Sequence, residues 1–366
     1  MIGSWCCAYK PFGFVNRKTS PMKDLKYLSA LSIPLSAFVA LYFKGGWLFL
    51  PPIYAFIFIP VIESLMPVSS ENFTEERKEK RAVSSFFDWM LYANIPIVFG
   101  LLIWSFYIVS SVNLSYFELA GLVVSIGMVL TTNGINVAHE LGHRQNSKER
   151  FLSKALLLPC LYMHFYIEHN HGHHLNAATK EDPATARFNQ TLYSFWITST
   201  VRQYFSAWKL QMRLLNNSNR SFFSLYNDVL WYVIIQFSYL LCVFLFFGVL
   251  GLGLAITAGI VSFLFLETVN YIEHYGLLRL KNSSGRYERV QKIHSWNSNH
   301  VVGRIILYEL TRHSDHHYRS SKKYQVLESH EESPILPFGY PTSMVLAMIP
   351  PLWFKVMNKR VPANMI

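Results

Sequence analysis

Histidine carries the chemistry of this sequence. Of 14 histidines in 366 residues, 13 lie between positions 139 and 317. Taken singly, each reads as a satisfied core or surface side chain; it is the spacing that changes the reading. In HELGHR, His139 and His143 stand four apart, which puts both on one helix face. In EHNHGHH, His169, His173 and His174 stand at i, i+4 and i+5, and in RHSDHH, His313, His316 and His317 stand at i, i+3 and i+4. His274 sits alone in NYIEHYG, just past a long apolar run. Nine imidazoles can therefore converge from four segments.

Imidazole suits iron, copper, nickel and zinc, so ligand type alone does not name a metal. Number says more. One zinc ion uses about three or four protein ligands, and nine histidines overfill such a site, whereas two metals with four or five each consume them. Histidine ligation with open positions fits redox iron that must meet O2. Glu140, Glu168, Glu273 and Asp315 flank the clusters and, with Asp182, are expected to accept the distal imidazole N–H groups and fix ring orientation. Two other readings compete. His139-Glu140-Leu141-Gly142-His143 matches the zinc metalloprotease pattern, in which the glutamate is general base; it leaves seven clustered histidines unexplained. A metal transporter would hold its ligands near the middle of its spans, whereas these follow the ends of apolar runs.

The elements that must position these side chains are membrane helices. The sequence is 51% hydrophobic, 16% aromatic and only 15% charged, too apolar for a soluble protein of this length. A bilayer core of about 30 Å needs roughly 20 apolar helical residues. Spans are expected at about 27–43, 45–62, 89–110, 117–138, 229–247 and 250–267, the last two joined by a turn near Gly248 to Gly253. Residues 1–26 carry five basic side chains, 63–88 carry Arg77, Lys78, Lys80 and Arg81, and the segments 139–228 and 267–366 hold most of the rest, whereas the opposite connections hold almost only Lys44. Positive loops stay inside, so both termini and both histidine-bearing segments are expected in the cytoplasm. Phe151 to Ile167 and Thr342 to Phe354 are apolar but interrupted by proline and read as interfacial or re-entrant. The net charge of +11 comes from scattered side chains, which fits a membrane surface and not nucleic acid. Four cysteines form no Cys-x-x-Cys pair, which argues against an iron–sulfur, rubredoxin-type or disulfide framework. The expectation is an all-α polytopic membrane protein with six transmembrane helices and a cytoplasmic helical cap carrying the histidines: an N-terminal extension over 1–24, then one domain over 25–366.

HELGHR, EHNHGHH, NYIEHYGL and LTRHSDHH, together with HSWNSNH at 294–300 and EDPATARF at 181–188, resemble the integral-membrane alkane 1-monooxygenase family from about residue 25 to 360, in the family's order. More distantly the chain resembles membrane fatty-acid desaturases and hydroxylases and the xylene monooxygenase hydroxylase component. The resemblance implies a non-haem di-iron enzyme of the bacterial inner membrane. It would insert one atom of O2 into the terminal C–H of a medium or long alkane, with electrons from rubredoxin and an NAD(P)H-dependent rubredoxin reductase. Related oxidation of fatty acyl or alkyl-aromatic substrates is the alternative. Arg144 and His171 depart from the family's usual residues without touching the ligand pattern, and no fused rubredoxin domain is present. An alkane dissolves in the bilayer, so its pocket is expected between the helices. Ala55, about two helical turns from Trp47, leaves space there, with Trp47 and Asn133 as further wall candidates. Arg304, Arg312, Arg319, Lys322 and Lys323 are expected to form a basic docking surface for the acidic electron donor.

Overall fold

The computed structural model describes residues 21–365, so most of the expected extension over 1–24 lies outside the described residues. Residues 21–24 already belong to a helical segment, Pro21–Leu31, that runs on into Ser32–Phe43. Among the described residues every regular element is helical, joined by loops, and extended backbone pairs only at three isolated bridges.

Five helices are long and apolar enough to cross a membrane: Asp24–Phe43, Gly45–Leu65, Ser85–Ser111, Tyr116–Gly142 and Asp228–His274. The last has 47 residues and is broken at Gly248, whose φ of 65° and ψ of −165° leave the helical region; a side chain at that positive φ would be strained. Several helices outrun their expected ends. The third begins at Ser85, the fourth reaches Gly142 and the fifth reaches His274. The polar residues that seemed to end the last two, Glu140, Glu267 and Glu273, are buried on inward faces, so their polarity does not meet lipid.

Position in the bundle differs sharply between helices. In its most apolar stretch Tyr116–Gly142 is 72% buried, whereas Asp228–His274 is 22% buried. The fourth helix is thus the central post, and the fifth presents Phe237, Leu245, Phe246, Val249 and Leu250 outward. An apolar face of that size without a protein partner is what lipid covers.

Phe151 to Ile167 and Thr342 to Phe354 are each split, the first into Ser147–Leu157 and Phe165–Glu168, the second between Tyr340–Ala347 and Pro350–Met357. One 26-residue helix, Leu192–Asn217, was not foreseen. Its inward stripe is Leu192, Phe195, Ser199, Gln203, Ala207, Gln211 and Leu215, and the polar members hide the apolar period that marks an amphipathic helix.

Candidate metal centre

His139 lies on the last helical segment of the central post, Asn136–Gly142, and His143 follows at its C-cap. Between Leu130 and Ile135, just before it, the helix widens to a π-type turn. A second widened turn spans His169–His173, and it decides where the next three histidines point. In an ordinary α-helix residues i and i+5 diverge by about 140°. With i→i+5 hydrogen bonds and about 4.4 residues per turn, they diverge by about 50°. His174 therefore swings in toward His169, while His173, four residues on, falls about 30° to the other side, so the two neighbours flank the His169 direction and can enter different sets. His274 comes from the end of the fifth apolar helix, and His313, His316 and His317 from the short helix His313–Tyr318.

These nine rings form two groups. His139, His143, His169, His174 and His316 offer ligand nitrogens within 4.8 Å of one another, and His173, His274, His313 and His317 do the same. The Nε2 atoms of His143, His169 and His174 stand 3.0–3.1 Å apart. Those of His173 and His317 stand 3.1 Å apart, as do those of His274 and His313. Burial holds the rings of His169, His174, His313, His316 and His317 well below their ordinary pKa, and neighbouring imidazoles push the same way. Burial and His173 push His143 down to about 3. Burial thus favours the neutral form of these six rings, the form whose lone pair a metal needs.

The flanking carboxylates behave differently from expectation. Asp182 takes the expected part: His173 donates its Nδ1–H to Asp182 Oδ2 at 3.0 Å, and Thr185 donates to the same oxygen at 2.6 Å. Burial opposes ionisation of Asp182, but the His173 ring and these hydrogen bonds hold its carboxyl below the usual range. The other four accept no distal imidazole N–H. Glu140 accepts from Arg144 Nε at 3.1 Å and the Tyr324 N–H at 3.2 Å. Glu168 accepts weakly from Ser206 at 3.4 Å, and burial and then Asp182 push its carboxyl up. Asp315 accepts from Lys322, the Glu328 N–H and His330 at 2.7–2.9 Å. Glu273 accepts the Tyr340 hydroxyl at 2.7 Å, and its other oxygen lies 3.2 Å from Nε2 of His313, the nitrogen that faces His274. His330 and Tyr340 were not foreseen, since neither stands near a cluster in the sequence.

Next to the histidines lies an apolar cavity of about 100 Å³. His139, His169, His313 and Glu273 line it, as do Ala55, Phe56, Ile59, Ile33 and Met128 from the apolar helices. Ala55 is part of the wall of this cavity. Trp47 is 53% exposed and no part of this wall, because it sits at the other end of the second apolar helix. Asn133 is buried, and its amide is spent on Asn94 Oδ1 at 2.7 Å and the Ala30 carbonyl at 3.2 Å. The docking surface also needs correction. Arg304 is buried against Glu309 and the Ser69 carbonyl, and Arg312 is buried against the Leu327 and Glu71 carbonyls. Each satisfies internal acceptors and offers no charge outward. Lys322 pairs with Asp315 and Glu328, and Lys323 with Asp88, which leaves Arg319 exposed.

The fold and site define a class: a membrane-helix protein that collects nine imidazoles into two adjoining sets beside an apolar cavity. The fatty acid desaturase family pattern matches residues 115–343. The chain is 37% identical to alkane 1-monooxygenase 2 of Alcanivorax borkumensis over 93% of its own length and 92% of that protein. It is 36% identical to the alkane 1-monooxygenase of Acinetobacter baylyi over 85% and 76% of the two chains. It is 28% identical to the xylene/toluene monooxygenase hydroxylase component of Pseudomonas putida over 92% and 89%. The chain belongs to the fatty acid desaturase family, and within it to the alkane 1-monooxygenases.

Proposed function

We propose that this chain is a membrane alkane 1-monooxygenase that converts a medium or long alkane to the primary alcohol. The reaction is RH + O2 + 2e⁻ + 2H⁺ → ROH + H2O. The observation that carries this reading is an apolar cavity whose wall includes His139, His169 and His313. Two iron ions would be held, one by His139, His143, His169, His174 and His316, the other by His173, His274, His313 and His317. The number of ligands supports iron over zinc, because sets of five and four histidines exceed what a zinc site, with about three or four protein ligands, takes. The metalloprotease reading also loses its base, because Glu140 is engaged by Arg144 and the Tyr324 N–H.

Iron bound there supplies the activation of O2 and the oxidation of the substrate. The chain's residues do the rest. Asp182 fixes the tautomer and orientation of His173, Tyr340 holds Glu273 beside His313, and the cavity walls exclude water and guide a hydrocarbon end toward the histidines. No Cys-x-x-Cys site is present to relay electrons, so they come from a separate rubredoxin and its NAD(P)H-dependent reductase, which meet an exposed face that includes Arg319. Purified protein is expected to bind about two iron atoms per chain and to make 1-octanol from octane only when rubredoxin and reductase accompany NADH. Stoichiometric zinc without iron-dependent O2 consumption would overturn the reading.

The same reading places the chain in a bacterial inner membrane with six spans and the histidines on the cytoplasmic side. A 47-residue helix runs about 70 Å, more than twice a bilayer core, and the break at Gly248 lets it cross twice. Reporter fusions after Lys180 and after Arg319 are expected to read as cytoplasmic, and a fusion at Val112 as external. An external signal after Arg319 would break the six-span arrangement.

A further inference from the structure

Glu63 is a carboxylate that the reaction above does not use. It lies near the end of the second apolar helix and is only 5% exposed. Its Oε1 accepts the Gly303 N–H at 3.0 Å, and its Oε2 has no hydrogen-bond partner among the described residues. Two glycines make room for it. A methyl group at Gly303 would come within 2.8 Å of Oε1, and one at Gly339 would overlap Oε2 outright. Gly339 has ordinary backbone angles, φ −61° and ψ 165°, as the N-cap of Tyr340–Ala347. Its lack of a side chain therefore serves the close approach of Glu63 and not a special backbone conformation.

The three segments that meet at this carboxylate are three walls of the cavity. The second apolar helix brings Ala55, Phe56 and Ile59, the segment after His300 brings Gly303, Ile306 and Leu307, and the helix Tyr340–Ala347 brings Tyr340, Pro341 and Met344. Tyr340, next to Gly339, also holds Glu273 near His313. The contact thus sits at the histidine end of the cavity. A buried carboxylate with one N–H partner is a poor way to gain stability, since an apolar side chain of similar volume often does as well. It is a good way to fix one geometry.

We propose that Glu63 is a positioning residue: its carboxylate latches the second apolar helix to Gly303 and Gly339, sets the width of the cavity at its reactive end, and so decides which carbon of the chain is oxidised. With the latch closed, only a slim terminal methyl reaches the histidines. With it open, the walls part and the second carbon competes. The regioselectivity half of this inference rests on the alkane-oxidising reading; the latch itself does not.

The test therefore has two arms. In the first, spin labels at Ile62→Cys and Val345→Cys, both at exposed positions, are placed in a background whose native cysteines are serine, and the distance between them is measured in the membrane-reconstituted full chain. Glu63→Leu is expected to broaden the distribution, Gly339→Ala to shift it as a single peak, and Glu63→Gln, which keeps the acceptor for Gly303, to change it least. In the second arm, products from octane are resolved. The ratio of 1-octanol to 2-octanol is expected to fall about tenfold in Glu63→Leu, with iron content unchanged and a smaller fall in Glu63→Gln. Unchanged distances in both Glu63→Leu and Gly339→Ala overturn the latch. Changed distances with an unchanged alcohol ratio overturn its role in selectivity. A wild-type enzyme that makes no alcohol defeats the functional reading, and the distances still decide the latch.

Discussion

Replacing His173 by alanine is expected to abolish alkane oxidation and to lower bound iron from about two atoms per chain to about one. The same result is expected for His274, His313 and His317, because these four share one set of converging nitrogens. Alanine at His139, His143, His169, His174 or His316 removes the other metal instead. The assignment thus makes a statement about groups: variants within a set resemble one another, and iron remaining in one set is spectroscopically distinct from iron remaining in the other. Asp182→Asn keeps all nine rings but weakens the acceptor on His173 Nδ1, for which a loss of about 10- to 100-fold in activity or metal affinity is expected. His171, exposed and in neither set, is the control, and His171→Ala should retain both irons and most of the rate. Iron analysis beside product formation measures all of this. Full activity in His274→Ala, or loss of both irons from every variant alike, overturns the two-set assignment.

That nine histidines gather was legible in the sequence because side chains on one helix face recur at three, four or five residues, and nine histidines in such runs leave few other uses. How they divide was not legible. His173 and His174 are neighbours that serve different sets, and the cause is the widened turn at His169–His173, which backbone hydrogen bonding sets and no residue type announces. The flanking carboxylates show a related limit. Glu140, Glu168, Glu273 and Asp315 each adjoin a histidine in sequence, and adjacent residues on a helix point about 100° apart, so none can serve its neighbour's ring. Asp182, nine residues beyond His173, folds back and does. Apolar runs located the membrane helices to within a few residues but not their polar ends, since Glu267 and Glu273 lie on buried faces. The basic residues misled for the same reason: Arg304 and Arg312 look like surface charge in a list and are internal clamps in the fold. Leu192–Asn217 escaped notice because its inward face is partly polar, with Ser199 and Gln203 donating to the buried Glu267.

Ala55→Trp is expected to divide long substrates from short ones. Ala55 is 7% exposed and lines the cavity one helical turn beyond Ile59, and two turns beyond Glu63, on the side away from the Leu65 end of its helix. From Glu63 to Ala55 the helix rises about 12 Å, so an indole there fills the distal part of the cavity and leaves the histidine end open. Each methylene denied its apolar contact forfeits about 0.8 kcal/mol, close to a fourfold loss in kcat/KM. Three or four methylenes that must leave the cavity or bend therefore cost hexadecane about 100-fold. Octane, short enough to lie mostly below the indole, is expected to lose less than about fivefold. Iron content should not change, because no ligand moves. The decisive measurement is the ratio of kcat/KM for octane to that for hexadecane in Ala55→Trp and wild type, with Ala55→Leu as a graded intermediate. Equal losses for both alkanes mean that Ala55 only packs helices together, and that the long chain lies along a different wall.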